Sequence, residues 1–211
     1  MTVETKSGTR LDTYDRFVEF VGKVCVTNPG QRSALRRGLG RPPEQAITVH
    51  ATVARWLPER PSPATEWAYY AVASMIALQP SGGRNGSTDD DQETEQTGEQ
   101  TAPEASTPGN PRRRASLGTA MALAVFRTDS QQRAIGQETA EKRLHLLTRQ
   151  DLFGVHQRLP GVVRHLQTLG VPIDWAQLLN DLGEWTPHRR DQIAKRWLQD
   201  FYRSLPENEK E

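Results

Sequence analysis

Basic side chains carry the only spacing in this chain that suggests chemistry, and the chemistry is phosphate recognition. In "NPGQRSALRRGLGRPP", residues 28–43, Arg32, Arg36, Arg37 and Arg41 crowd into one short helix and its exit. Arg32 and Arg36 are four apart and share a face beside Leu35 and Leu39. Arg36 and Arg37 lie near the helix C-terminus, where the dipole favours cations by about 0.3–1 kcal/mol; Arg32 lies in the first turn, where it disfavours them. Helix stability alone therefore leaves Arg32 unexplained. Farther on, Arg189, Arg196 and Arg203 recur every seven residues, with Gln192 and Gln199 on nearly the same face. That stripe, about 20 Å long, could follow a phosphate backbone without reading bases. A merely solvated helix face explains it equally well at this level. "EKRLHLLTR" adds Lys142, Arg143 and Arg149, and "PRRRAS" places Arg112, Arg113 and Arg114 on what reads as a mobile arm able to touch phosphate or the acidic stretch that precedes it.

Other chemistries are poorly served. The histidines (His50, His145, His156, His165, His188) form no HExxH and have no cysteine partner, so they read as polar positions on amphipathic helices rather than zinc ligands. No phosphate-binding GxxxxGK[ST], no GxGxxG after a strand and no GxSxG occurs. "TDDDQETE" is a solvating charge run: consecutive carboxylates in a polar tract have no fixed geometry for a cation. Cys25, the single cysteine, lies on an apolar helical face and reads as a small buried hydrophobe in a reducing cytoplasm. Trp175, Trp185 and Trp197 read as packing residues rather than base-stacking platforms. The expectation is a protein without catalytic residues, metal or cofactor.

The net charge of +1 averages two unlike parts. Of 27 Lys and Arg and 26 Asp and Glu, residues 81–111 hold seven acids (Asp89, Asp90, Asp91, Glu93, Glu95, Glu99, Glu104) and only Arg84. The remainder, with 26 bases and 19 acids, carries +7. The acidic stretch has two alanines as its whole apolar content and reads as a disordered loop, unable to offset its chain entropy by burial. The start "MTVETKSGTR" has no signal-peptide pattern, and no apolar run approaches the roughly 18–20 residues of a membrane span, so a soluble cytoplasmic protein is expected.

The elements that must position the basic residues read as helices throughout. Leu11, Tyr14, Phe17, Val18, Val21, Val24 and Cys25 form one apolar face. Asn28, Pro29 and Gln31 supply an N-cap, a first-turn proline and a capping-box partner; Gly40, Pro42 and Pro43 stop that helix. "EQAITVHATVARWL" and the apolar "ATEWAYYAVASMIAL" follow. After the loop come the small-residue-rich "ASLGTAMALAVFR", suited to close packing, and then "QETAEKRLHLLTR". "DLFGVHQRLPGVVRHLQTL" is kinked or restarted at Pro160, a helix opens on Asp174 with Gln177 at its third position, and a last one opens on Thr186 and Pro187. The fold class is all-α: two small packed bundles, residues 10–130 and 131–205, joined near 128–137, with tails at 1–9 and 206–211.

"RSALRRGLGRPP", "EWAYYAVASMIALQP", "SLGTAMA", "AEKRLHLLTRQD", "LPGVVRHLQTLGVPIDWAQLLNDLGEW" and "RRDQIAKRWLQDFY" resemble, in order, the CasB family, the small subunit of the type I-E CRISPR Cascade complex. The resemblance covers residues 12–205 apart from the acidic stretch, and its most specific parts are the "LRR" helix, "SLG" and the Gly-x-Pro-[Ile/Val]-Asp-Trp segment. It implies a non-enzymatic helical subunit that binds nucleic-acid backbone without sequence preference and stabilises the R-loop. The implied partners are the backbone subunit CasC, the large subunit CasA, a second copy of itself, the guide RNA–target DNA heteroduplex and the displaced strand, with no membrane. By position, the family's basic surface falls on Arg36, Arg37, Lys142, Arg143 and Arg164. The acidic insert departs from the family. A purely structural adaptor whose arginines meet neighbouring protein subunits stands as the alternative.

Overall fold

The computed structural model describes residues 10–79, 114–126 and 136–205, and every regular element among them is helical. The acidic stretch, both tails, Arg112, Arg113 and most of the expected joint lie outside the described residues.

Helix α1 (Arg10–Thr27) buries Tyr14, Phe17, Val21 and Cys25 as one stripe. Tyr14 and Phe17 meet the Tyr69 ring edge-on, at centroid distances of 5.8 and 4.7 Å. Helix α2 (Pro29–Arg37) starts as its sequence dictates: the Asn28 side chain accepts the Gln31 amide at 3.0 Å, and Pro29 occupies the first turn. Gly40 turns the chain away at φ +70°, a conformation glycine adopts without a Cβ clash. The expected single helix over 44–57 is instead a 3-10 turn at Pro43–Gln45, α3 (Ile47–Val53) and a second 3-10 turn at Ala54–Trp56. Its β-branched run, Ile47, Thr48, Val49, Thr52 and Val53, favours helix weakly.

Helix α4 (Pro63–Ile76), capped by Ser62 accepting the Thr65 amide at 3.1 Å, buries eleven of its residues and forms the centre of the fold. Helix α5 (Leu117–Phe126) is more apolar still and buries six of its ten residues. Then come α6 (Gln137–Thr148), α7 (Leu152–Thr168), α8 (Trp175–Gly183) and α9 (Arg190–Ser204). The most extensive packing joins α5 to α9 and α4 to α8, with α1 also on α8. One continuous apolar core therefore runs from Tyr14 to Phe201, across the boundary expected at 130/131. At the α5–α9 crossing, a Cβ built on Gly118 would stand 1.8 Å from the Trp197 carbonyl oxygen, so these two backbones touch only because residue 118 has no side chain.

Several local expectations change. Pro160 lies inside α7 without breaking it; the helix is capped by Asp151, which accepts the Gly154 amide at 2.7 Å. Asp174 caps α8 as expected, but the Gln177 side chain turns to Asp181 rather than back to the cap. The last helix opens at Arg190 because Thr186 first closes a turn, its carbonyl accepting the amides of Arg189 and Arg190 at 3.0 and 2.8 Å. Arg114 is no mobile arm: it pairs with Asp15 of α1 and, at 3.2 Å, with Asp174 at the start of α8.

His156 is buried rather than an exposed polar position, because it faces α4 beside Val155 and Leu159. Its ring stacks on Trp67 at 4.6 Å with 4° between planes, and neither nitrogen bonds a described protein group. Burial alone holds its pKa down at about 3, against 6.5 for the free side chain. The unfolded chain therefore takes up this proton as pH falls through 6.5, while the native chain resists until about 3, so stability drops with acidification. Between about pH 7.5 and 5, wild type should lose about 2 kcal/mol that His156→Phe does not, read from denaturant midpoints at each pH. Parallel pH profiles for the two chains would refute the assignment.

Candidate nucleic-acid interface

The last carbonyls of a helix have no intrahelical partner and carry its negative dipole end. At α4 these positions organise the basic residues around them. Arg32 Nε donates to Ala77 O at 3.2 Å, Arg36 Nε to the same oxygen at 2.7 Å, and a terminal nitrogen of Arg32 to Gln79 O. From the other side, Gln167 Nε2 of α7 donates to Met75 O at 3.3 Å. Arg32 is thus explained: it sits badly in the field of its own helix and well in that of α4. Burial pushes the Cys25 thiol up, against the pull of Arg32 and Arg36, which fits a packing residue.

Arg36 keeps an exposed outer side, and Arg37 and Arg41 are exposed with no ion pair or side-chain hydrogen bond among the described residues. Arg41 was visible in the opening stretch, but lying past the helix end it had no face to be assigned to. Gly40, its neighbour, has its carbonyl held by Gln157 of α7. Arg164 is seven residues beyond Gln157 and three before Gln167, so at about 100° per residue it lies within about 60° of both anchors. It is exposed on the side of α7 that borders this corner. Arg143 of α6 stands near His165, whose pKa is lowered first by partial burial and then by that guanidinium. Arg36, Arg37 and Arg41 thus lie at the end of α2 and its exit, and the hydrogen bonds of Gln157 and Gln167 tie α7, which carries the exposed Arg164, to that exit and to the end of α4.

The remaining basic residues are placed elsewhere. Lys142 pairs with Glu138 one turn back at 2.6 Å, both exposed, a contact of small energetic weight. Arg149 is the exposed C-cap of α6. The expected Arg189–Arg196–Arg203 stripe is divided. Arg189 precedes α9 and pairs with Glu184 at 2.9 Å, while Arg196 turns inward to the buried carboxylate of Asp181. Asp181 also accepts Trp197 Nε1 and Gln177 Nε2, each at 2.6 Å. Burial pushes its pKa up, and Arg196 with these two donors opposes that shift. Only Arg203 of the three is exposed without a partner among the described residues, on a groove between α6 and α9 beside Thr148 and Tyr202. Trp175, Trp185 and Trp197 are all buried in the core.

Among the described residues no group of three His, Cys, Asp or Glu could hold a metal ion, and no helix is long and apolar enough to cross a membrane. The corner offers fixed positive charge, which suits binding of phosphate oxygens.

The sequence profile described as CRISPR-associated protein Cse2 (CRISPR_cse2) matches residues 31–202. A chain in a solved CRISPR RNA-guided surveillance complex is 36% identical, with 93% of this chain and 95% of that one covered and a TM-score of 0.71. Two crystal structures from Thermus thermophilus share the fold at a TM-score of 0.58. One, a CRISPR-associated protein of the Cse2 family, is 23% identical over 90% of this chain and 97% of that one. The other, CasB, is 21% identical over the same shares. No curated protein matches the chain.

Proposed function

The chain belongs to the CasB/Cse2 family of CRISPR-associated proteins, and on that premise we propose that it is a non-catalytic subunit of an RNA-guided surveillance complex that holds nucleic-acid backbone at the α2–α7 corner. The observation that carries this reading is that Arg36, Arg37 and Arg41 at the end of α2, and Arg164 on the α7 helix tied to that exit, are all exposed, with no carboxylate partner among the described residues. Such a surface contacts phosphates without reading bases, which fits a complex in which pairing to the guide supplies specificity. Opening a duplex against a guide is nearly balanced in energy, so a few backbone contacts can tip it. The target strand, the displaced strand and the backbone and large subunits are the partners this role requires.

The test is an assembled complex carrying Arg37→Ala, Arg41→Ala and Arg164→Ala. Arg36 is left intact because it also holds the end of α4. Target DNA should bind about 10–100-fold more weakly at low salt, and the slope of log K against log salt should shallow by about 2–3 for three lost contacts. Unchanged affinity at every salt would remove the proposal. The adaptor reading draws support from the exposed Val26, Ile47 and Phe153, which suit protein neighbours. It predicts that the triple variant instead drops out of the complex.

A further inference from the structure

We propose that Arg36 sets the geometry of the phosphate contact, its two terminal nitrogens standing as a preset fork for the paired non-bridging oxygens of one phosphodiester; this rests on the phosphate-binding reading above. The other exposed arginines of that surface contribute charge without fixed geometry.

Exposed arginines without a carboxylate partner among the described residues occur on several faces: Arg37, Arg41, Arg149, Arg164 and Arg203 are all of that kind. A backbone anchor separates Arg36 from them. Its Nε donates to Ala77 O at 2.7 Å, across 41 residues of chain, and the side chain nevertheless stays exposed. The anchor is itself held in place. Arg32, one turn earlier on α2, donates its Nε to the same Ala77 oxygen at 3.2 Å and a terminal nitrogen to Gln79 O. From α7, Gln167 Nε2 donates to Met75 O at 3.3 Å. On the α2 side, Leu35 is fully buried beside Arg36, which fixes where the side chain starts. The acceptor is the C-cap of α4, at the negative end of that helix dipole, so the guanidinium is drawn to it before any ligand arrives.

A guanidinium carries five N–H donors in one rigid plane. With one of them on Ala77 O, the other four sit on the two terminal nitrogens, and no hydrogen bond among the described residues occupies them. The freedom a loose arginine loses on binding is here lost on folding, so less is lost when phosphate arrives. Two parallel N–H···O bonds to one phosphate also add directional strength that a point charge lacks. Lysine cannot take this place. Its donors all radiate from one nitrogen, so an ammonium within reach of Ala77 O presents no separate pair outward.

The test compares Arg36→Lys, Arg37→Lys and Arg164→Lys, each in an assembled complex titrated with target DNA. Arg36→Lys should bind about tenfold more weakly than wild type, and at least about threefold more weakly than either of the others. Because no charge is lost, the slope of log K against log salt should stay that of wild type while the whole line drops. Arg36→Lys binding as well as Arg37→Lys, with Arg37→Ala, Arg41→Ala and Arg164→Ala together still weakening the complex, sinks the fork and leaves the phosphate reading standing. The triple alanine variant binding as wild type does sinks the reading beneath it.

A second measurement uses the unaltered full chain and holds whether or not Arg36→Lys assembles. By NMR, the Nε–H of Arg36 should exchange with water at least about tenfold more slowly than those of Arg37 and Arg41, which have no such acceptor. It should stay slow when a phosphodiester oligonucleotide binds, because the ligand takes the terminal nitrogens. Equal exchange at the three positions, or loss of the Arg36 protection on binding, would overturn the proposal.

Discussion

Gly118→Ala is expected to lower the melting temperature by about 10 °C. The added methyl would stand 1.8 Å from Trp197 O and 2.7 Å from Trp197 C, with the Phe201 nitrogen at 3.1 Å. All three are backbone atoms of α9, so no rotamer change relieves the clash, and α5 must lift from its principal packing partner. Overpacking of this kind costs about 1–3 kcal/mol and more where the obstacle is rigid, against about 1 kcal/mol returned by the better helix propensity of alanine. A net loss of about 3 kcal/mol moves the melting point of a chain this size by about 6–12 °C. Gly22 is the control: a Cβ there meets nothing within 4 Å, so Gly22→Ala in α1 should be neutral or stabilising by up to about 1 kcal/mol. If Gly118→Ala melted with or above wild type, the crossing of α5 and α9 would have to be looser than described.

Asp181→Ala should cost about 3–5 kcal/mol in chemical denaturation. It removes a buried carboxylate that three donors converge on, leaving the buried indole N–H of Trp197 without a partner and Arg196 without its counter-charge. Asp181→Asn should fall between, since it keeps one acceptor oxygen but turns an amide N–H toward donors. Arg196→Met separates the stability role from any role in nucleic-acid binding. It should destabilise the fold, yet leave the salt slope of the assembled complex unchanged, because Arg196 faces Asp181. A slope that shallows in Arg196→Met would place this arginine on phosphate after all.

Where a local rule governs, the sequence was legible. The stripe of Tyr14, Phe17, Val21 and Cys25, the Asn28 and Asp174 caps, and the all-helical class follow from periodicity and capping chemistry. Helices α4 and α5 were visible as helices, but being apolar all round they gave no face, so their partners α8 and α9 were not readable. The roles of the arginines depend on partners distant along the chain. Arg32 answers to carbonyls 45 and 47 residues away, and Arg196 to an acid 15 residues back on another helix. Charge and spacing announce that an arginine is unusual; only packing tells whether its partner is internal. The seven-residue stripe failed as a continuous line for that reason, while Arg37 and Arg164 stay exposed with no carboxylate partner among the described residues. His156 was hidden because its helix presents it to α4, and a lone histidine has the same sequence signature on either face.

The pairing of early helices with late ones also sets a timetable for synthesis. The faces of α4 and α5 that α8 and α9 cover stay open until the far end of the chain has left the ribosome. From Ile76 to Ser204 is 128 residues of further elongation, which at about 5–20 residues per second is roughly 6–25 s. For that interval the most apolar segment of the protein is solvent-facing or held by a chaperone, and a ribosome stalled before α9 would release a chain with an uncovered core.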